Sequence, residues 1–221
     1  MCFSAGASFT SGVILTSLGT VTVREVKKPS QMTFASVPLL FGIQQIAEGC
    51  VWLGLTNPAY GHLLEIGTTV FLIMARVIWP TMLPLAVLLM AEKGKPHRAL
   101  AMLLGMGLSV SIYYAYCLAF LHVDPQITGA HIQYISDFPE SLATPVFFVY
   151  FAATIIPLFL SHIQRVKVLG VLMFISCLVT AVFYVQYLTS VWCFFAAIMS
   201  VVVFWILRGP EENKIPALNP E

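Results

Sequence analysis

The sequence predicts an all-α integral membrane protein, a bundle of seven transmembrane helices. Of its 221 residues, 59% are hydrophobic and only 10% are charged, and the mean hydropathy is +0.89. A soluble domain is about half apolar and about a quarter charged. The lipid bilayer is therefore the expected surrounding and partner of this chain. A net charge of +1 without a long basic run argues against a nucleic-acid partner.

Seven apolar stretches come close to the 20 residues that a helix needs to cross a bilayer. They are continuously apolar and do not alternate, which favours helices over the strands of a barrel. The predicted spans are residues 4–23, 32–55, 66–91, 99–121, 142–161, 168–188 and 191–207. We expect one transmembrane domain over residues 1–207 and a polar cytoplasmic tail over residues 208–221.

The positive charges predict the orientation of the bundle. Ten of the eleven Lys and Arg residues lie in 24–31, 92–98, 162–167 and the tail after 207. The connections at the other end of the spans, 56–65, 122–141 and 189–190, hold none. The positive-inside rule then predicts an N-terminus outside and a C-terminus in the cytoplasm. We expect a multi-pass protein of the inner (cytoplasmic) membrane of the cell.

The first span carries a small residue at every fourth position, which predicts close packing against a neighbouring helix. These positions are Ser4, Ser8, Gly12, Thr16 and Thr20. Cys2 precedes this span on the predicted outer side. The five cysteines show no CxxC spacing, so neither a disulfide framework nor a zinc ribbon is indicated. No basic residue precedes the first apolar run, which is unlike a cleavable signal peptide.

The second and third spans carry ionisable residues inside the membrane. Gln44, Gln45 and Glu48 fall within one helical turn, and Trp52 continues their face. By helical rise, Glu48 lies about 10 Å below the outer surface and Arg76 about 15 Å below it. We therefore predict a Glu48–Arg76 ion pair, because an unpaired charge in lipid costs several kcal/mol.

Intramembrane ionisable residues are candidates for function, although such a pair can also serve only to fix the register of two helices. Pro80 and Pro84 follow Arg76 by one and two turns. They are expected to kink the third helix and to open a cavity beside it.

The outer ends of the later spans and the long connection 122–141 supply further candidates. Tyr113 and Tyr116 lie in the fourth span and could face a ligand, although aromatic residues at this height commonly anchor a helix at the interface. Cys2, His122 and His131 could bind a transition metal such as zinc, copper or iron. Their spacing matches no established metal motif, and solvated histidines are the alternative.

Two stretches, MCFSAGASF and PLLFGIQQIAEGCVWLGL, resemble a family of uncharacterised prokaryotic multi-span membrane proteins. Its members begin MCFSA-x-ASF and carry Gln-x-x-x-Glu-Gly and a Trp in the second span. The resemblance implies no activity. It marks as motif positions Cys2, Ser4, Gln44, Gln45, Glu48, Gly49 and Trp52.

Three functions compete. The first is binding or sensing of a small polar or anionic ligand, or of a metal ion, in an outward-facing pocket. The second is a membrane-embedded enzyme, with or without a metal, in which Cys2 is the nucleophile or a metal ligand, Glu48 the general base and His131 an acid/base group. The third is a small-solute transporter, which would need polar residues in the cytoplasmic halves of the spans. The residues assigned to the ligand are Gln44, Gln45, Glu48, Trp52, Arg76, Tyr113 and Tyr116.

Overall fold

A computed structural model describes residues 4–91, 94–183 and 187–208. Within these ranges seven helical segments are long and apolar enough to cross a membrane, which confirms the seven predicted spans. They are Ala5–Arg24, Pro29–Thr56, Pro58–Met90, Pro96–Phe120, Glu140–Leu160, Gln164–Phe183 and Thr189–Leu207. Cys2 and the tail beyond Arg208 lie outside the described residues.

The segments are built from α-helices that are interrupted by short turns of other helix types. In the described ranges the helices are α1 (Ala5–Arg24), α2 (Met32–Ala35), α3 (Val37–Thr56), α4 (Gly61–Leu72), α5 (Trp79–Met90), α6 (Lys95–Phe120), α7 (Glu140–Leu160), α8 (Gln164–Phe183), α9 (Leu188–Met199) and α10 (Val201–Leu207). The third span begins earlier than predicted, because Pro58–Tyr60 forms a 3₁₀ turn in front of α4. The Asn57 side chain caps this turn by accepting a hydrogen bond from the Ala59 amide.

Helices α1 and α3 pack in close contact through small residues. Ser8 and Gly12 are buried as predicted, and a Cβ on Gly12 would lie 2.6 Å from Ile46 Cγ1. Further along, Gly19 takes the place expected for Thr20, which is exposed. The prediction fails at Thr20 because a four-residue step advances about 40° beyond a full helical turn, so a four-residue stripe drifts off the interface.

The third span changes helix type around Arg76, which is partly buried. Residues Ile73–Ile78 form a π-helix between α4 and α5. Pro80 cannot donate the backbone hydrogen bond that an α-helix would place on Arg76, and a π-turn accommodates such a missing bond. Neighbouring helices bond the carbonyl groups there: Tyr150 Oη donates to Ala75 O at 2.7 Å, and Ser111 Oγ donates to Val77 O at 2.6 Å. Where the two prolines predict a kink in the third helix, the structure has a π-helix.

The long connection between α6 and α7 contains a β-hairpin, where the sequence suggested only a loop. Strands β1 (Val123–Thr128) and β2 (His131–Ser136) pair antiparallel. Gly129 has φ +63°, a left-handed conformation that suits glycine in the tight turn. Ile132 is fully buried against Val51 and Trp52 of α3. The hairpin therefore lies against one end of the bundle.

Apolar side chains form both a buried core and the outer surface of the bundle. A large core joins α1, α2, α3 and α5 to α10, with Phe34, Leu100 and Leu158 fully buried. Large apolar side chains such as Ile112 and Phe183 are exposed on the outside of the helices. Such a surface is unfavourable in water and matches a lipid environment.

Candidate functional site

A cavity of about 330 Å³ lies at the hairpin end of the bundle. The π-helix, α6, α7, α9 and the segment after β2 all contribute to its wall. The lining residues are Ala75, Arg76, Tyr113, Tyr114, Ser136, Phe138, Pro139, Glu140, Ala143, Phe147, Tyr150, Thr189, Trp192 and Cys193. We call this space the Arg76 cavity.

Arg76 is the central charge of this cavity. Its guanidinium carbon lies 5.4 Å from the ring centre of Tyr114 and 4.9 Å from that of Phe138. These distances are typical of cation–π contacts, which partly compensate the charge for lost water. Among the described residues Arg76 makes neither an ion pair nor a side-chain hydrogen bond. Tyr114 and Phe138 pack against each other, with 6.2 Å between ring centres, so the guanidinium lies beside a pair of rings. Its N–H groups are left for another partner.

The residues of the second-span motif form a separate buried cluster. Gln44, Gln45 and Glu48 are all 0% exposed. Ser190 Oγ donates to Glu48 Oε1 at 2.5 Å, and Gln45 Nε2 donates to Glu48 Oε2 at 3.3 Å. Trp79 Nε1 donates to Gln44 Oε1 at 2.7 Å. We call these five residues the Glu48 cluster, which joins α3 to α5 and α9.

The predicted Glu48–Arg76 ion pair is wrong. Both residues lie in the described part of the chain, and their charged groups do not come within ion-pair distance. Glu48 accepts hydrogen bonds from Gln45 and Ser190, whereas Arg76 contacts the rings of Tyr114 and Phe138. The depth estimate gave the height of each residue along its helix but not the direction of its side chain around the helix axis. The predicted single site is therefore divided into two.

Helix α9 connects the two parts. Cys193 lines the Arg76 cavity and lies beside Gln44, within electrostatic range of both Glu48 and Arg76. Ser190, one turn earlier on the same helix, bonds to Glu48. The two parts of the site are thus one turn of α9 apart.

The remaining ligand candidates are distributed unevenly. Tyr113 lines the Arg76 cavity. Tyr116 is 61% exposed and packs at a tilted angle against Phe120, and it is not part of the cavity wall. Trp52 packs against Ile132 of the hairpin, and its indole N–H has no hydrogen-bond partner among the described residues.

The two candidate metal-binding histidines lie at opposite ends of the hairpin. His131 pairs with Thr128 beside the turn, whereas the His122 carbonyl accepts a bond from the Asp137 amide at the base. His122 lies six residues before Thr128, which is about 20 Å along an extended strand. Because Thr128 is the neighbour of His131 across the hairpin, one ion cannot bind both imidazoles. Within the described ranges no three His, Cys, Asp or Glu residues are grouped to hold a metal. A metal-binding role for Cys2 falls outside those ranges and stays a prediction.

His131 takes part in attaching the hairpin. Its ring stacks on Tyr187, at the start of the last span, with 4.9 Å between ring centres. Burial lowers the pKa of the His131 imidazole below its usual 6.5, because the charged form loses water there. The neutral imidazole is therefore the favoured form at neutral pH.

Several residues of both parts were not identified from the sequence. Phe138 and Tyr150 at the cavity, and Trp79 and Ser190 in the Glu48 cluster, carried no recognised motif. A usable signal existed for Tyr150, because a phenol inside an apolar span needs a hydrogen-bond partner. Trp79 likewise carries a buried donor and stands one turn from Arg76 in the sequence.

Comparison with known proteins gives a family without a function. A model of a family of unknown function, DUF6629, matches residues 1–216. The chain belongs to the DUF6629 family. This match confirms the expectation of a family with no assigned activity. Curated proteins and solved structures gave no match to this DUF6629 chain.

Proposed function

We propose that this DUF6629 protein binds a small anionic molecule in the Arg76 cavity, with Arg76 as the counter-charge. The observation that carries the proposal is the partly buried Arg76 guanidinium, which lines a cavity and makes no ion pair in the described part of the chain. A cation at membrane depth is costly, so its retention there without a carboxylate at ion-pair distance favours a role in binding.

The surroundings of Arg76 suit an anion with planar or tetrahedral oxygens. Tyr114 and Phe138 contact the guanidinium through their rings. A guanidinium donates two parallel hydrogen bonds to a carboxylate or phosphate, which fixes the orientation of the ligand as well as its charge. Hydroxyl groups of Tyr113, Ser136 and Thr189 lie in the same wall and could bond to further oxygens.

The cavity is proposed to face the outside of the cytoplasmic membrane. It lies at the end of the bundle that carries the hairpin, and the connections at that end hold no Lys or Arg. The other end holds ten of the eleven positive charges. The positive-inside rule supports this orientation, in which the ligand enters from the extracytoplasmic side.

A membrane-embedded enzyme is the second candidate. The hydrogen bond from Ser190 to Glu48 has the geometry of a hydroxyl nucleophile with its general base. However, both side chains are 0% exposed and neither belongs to the cavity wall. A substrate would need a rearrangement of α9 to reach them, so binding is the better supported function. Transport stays the third alternative.

The test is a titration of the purified protein in a non-ionic detergent. Acetate, benzoate and inorganic phosphate are added in turn, and tryptophan fluorescence is recorded because Trp192 lines the cavity. We expect saturable binding of one of these anions and its loss in Arg76→Gln. Arg98→Gln is the matched control, since Arg98 is exposed at the start of α6. Equal affinity in the wild type and Arg76→Gln would contradict the proposal.

A further inference from the structure

A second charge lines the Arg76 cavity. Among the described residues of its wall, Arg76 and Glu140 carry a formal charge, and the signs are opposite. Glu140 is the first residue of α7, which follows Pro139 at the exposed mouth. The N-terminus of a helix is a favourable place for a negatively charged side chain.

The two charges do not neutralise each other. Within the described ranges Arg76 and Glu140 are not joined by an ion pair, and neither side chain makes a hydrogen bond to another residue. Both therefore face one space with their polar groups unsatisfied by the protein. A simple anion would pair with Arg76 but would be repelled by Glu140, because like charges that share one cavity destabilise each other.

The cavity wall that holds the two charges is also aromatic. Tyr113, Phe138 and Phe147 belong to it, and so does the buried Trp192. Aromatic faces attract organic cations, an ammonium group included. A positive group near the mouth would thus be favoured twice, by the Glu140 carboxylate and by the ring faces.

We infer that the ligand is a zwitterion that carries an acidic group and an amine, a deepening that rests on the proposed anion site. The acidic group pairs with Arg76 inside, and the ammonium group pairs with Glu140 and the rings towards the mouth. A free amino acid and the phosphoethanolamine headgroup of a lipid share this chemistry. A cavity of about 330 Å³ lies within the usual size range of small-molecule sites.

The test compares matched probes on the full-length protein in non-ionic detergent by isothermal titration calorimetry. Butyrate, butylamine and 4-aminobutyrate have the same carbon chain and differ only in their charged groups. Glycine, β-alanine and 6-aminohexanoate vary the separation of the charges, and phosphoethanolamine represents the lipid headgroup. We expect the best zwitterion to bind about three- to tenfold more tightly than the acid of equal length, the range for an ion pair at a partly exposed mouth.

Substitutions separate this inference from the proposed function. Glu140→Gln should remove the advantage of the zwitterion and leave butyrate binding equal or tighter. Glu65→Gln is the matched control, because Glu65 is also exposed on a helix at this end and lies outside the cavity wall. Arg76→Gln should weaken the acid and the zwitterion alike.

Each outcome decides the matter. If wild-type protein binds butyrate and 4-aminobutyrate equally, the zwitterion is wrong while the anion site stands. If Arg76→Gln binds both as the wild type does, the anion site fails as well. Binding of phosphoethanolamine in preference to every amino acid assigns the zwitterion to a lipid headgroup, and the reverse preference assigns it to a free amino acid. Absence of binding by every zwitterion overturns the inference.

Discussion

At the scale of single residues, polar side chains inside the bundle differ in whether the protein itself provides their hydrogen-bond partners. The Glu48 carboxylate accepts hydrogen bonds from Ser190 and Gln45, donors that the chain itself provides. The guanidinium of Arg76 contacts the rings of Tyr114 and Phe138, and it has no hydrogen-bond acceptor in the described ranges. A buried polar side chain whose hydrogen-bond partners come from the protein is explained by its contribution to stability. One that lacks such partners is better explained by the binding of a ligand.

Ser190 is expected to stabilise the fold through its bond to Glu48. Ser190→Ala removes a donor from a buried carboxylate, which costs about 1.5–3 kcal/mol of the free energy of unfolding. Ser109→Ala is the matched control, because the Ser109 hydroxyl bonds to Met106 O on an exposed part of α6. Denaturant titration of both variants in detergent measures the difference. Equal stabilities would mean that the Ser190 bond contributes little.

The candidate residues could be identified from the sequence, but the directions of their side chains around the helix axes could not. Glu48 and Arg76 were identified because charges are rare in apolar spans. Their pairing was wrong because each residue of a helix turns the side-chain direction by about 100°, and the π-helix at Ile73–Ile78 alters that count locally. Ser190 was missed because a lone serine near a span end carries no recognisable pattern.

At the scale of elements, the third span depends on its neighbours. Its π-helix and two prolines leave backbone carbonyls without α-helical donors, and side chains of α6 and α7 bond to two of them. Gly107 of α6 contributes in another way, since its missing side chain lets α6 approach the Pro80 carbonyl. Pro84 cannot donate to that carbonyl, so close backbone contact is tolerated there.

Gly107→Ala should therefore separate α5 from α6. Its new Cβ would overlap the Pro80 carbonyl oxygen, a backbone atom that cannot move alone. We expect a loss of about 1–3 kcal/mol in the free energy of unfolding, as for overpacking elsewhere. Gly105→Ala is the control on the same helix, because no atom lies within 4 Å of its added Cβ. It should be neutral or stabilising by up to about 1 kcal/mol, and a similar loss in both variants would contradict the contact.

The existence of each spanning helix was easier to predict than its details. Continuous apolar runs fix a helix because lipid offers the backbone no other hydrogen-bond partner. The sequence predicts only a loop at Val123–Ser136, because the two strands are short and mixed in polarity. The buried side of the hairpin arises from its contact with α3. Long-range packing of this kind leaves little signal in a local sequence pattern.

At the scale of the whole molecule, the two ends of the bundle differ. The hairpin and the Arg76 cavity lie at one end. At the other end Arg208 pairs with Glu25 at 3.3 Å and ties the last span to the first. Arg165 lies at that end as well, over the Trp205 ring. The proposed route of the ligand depends on which end faces the cell exterior.

Cysteine labelling of intact cells tests this orientation. Ala130→Cys lies in the exposed turn of the hairpin, and His97→Cys lies at the exposed start of α6. A membrane-impermeant maleimide should modify the first in intact cells and the second only after permeabilisation, because the Lys- and Arg-rich end is expected to face the cytoplasm. Peptide-level mass spectrometry distinguishes each site from the native cysteines, of which Cys117, Cys177 and Cys193 are buried. The opposite pattern would turn the cavity towards the cytoplasm, and its ligand would then have to be a cytoplasmic one.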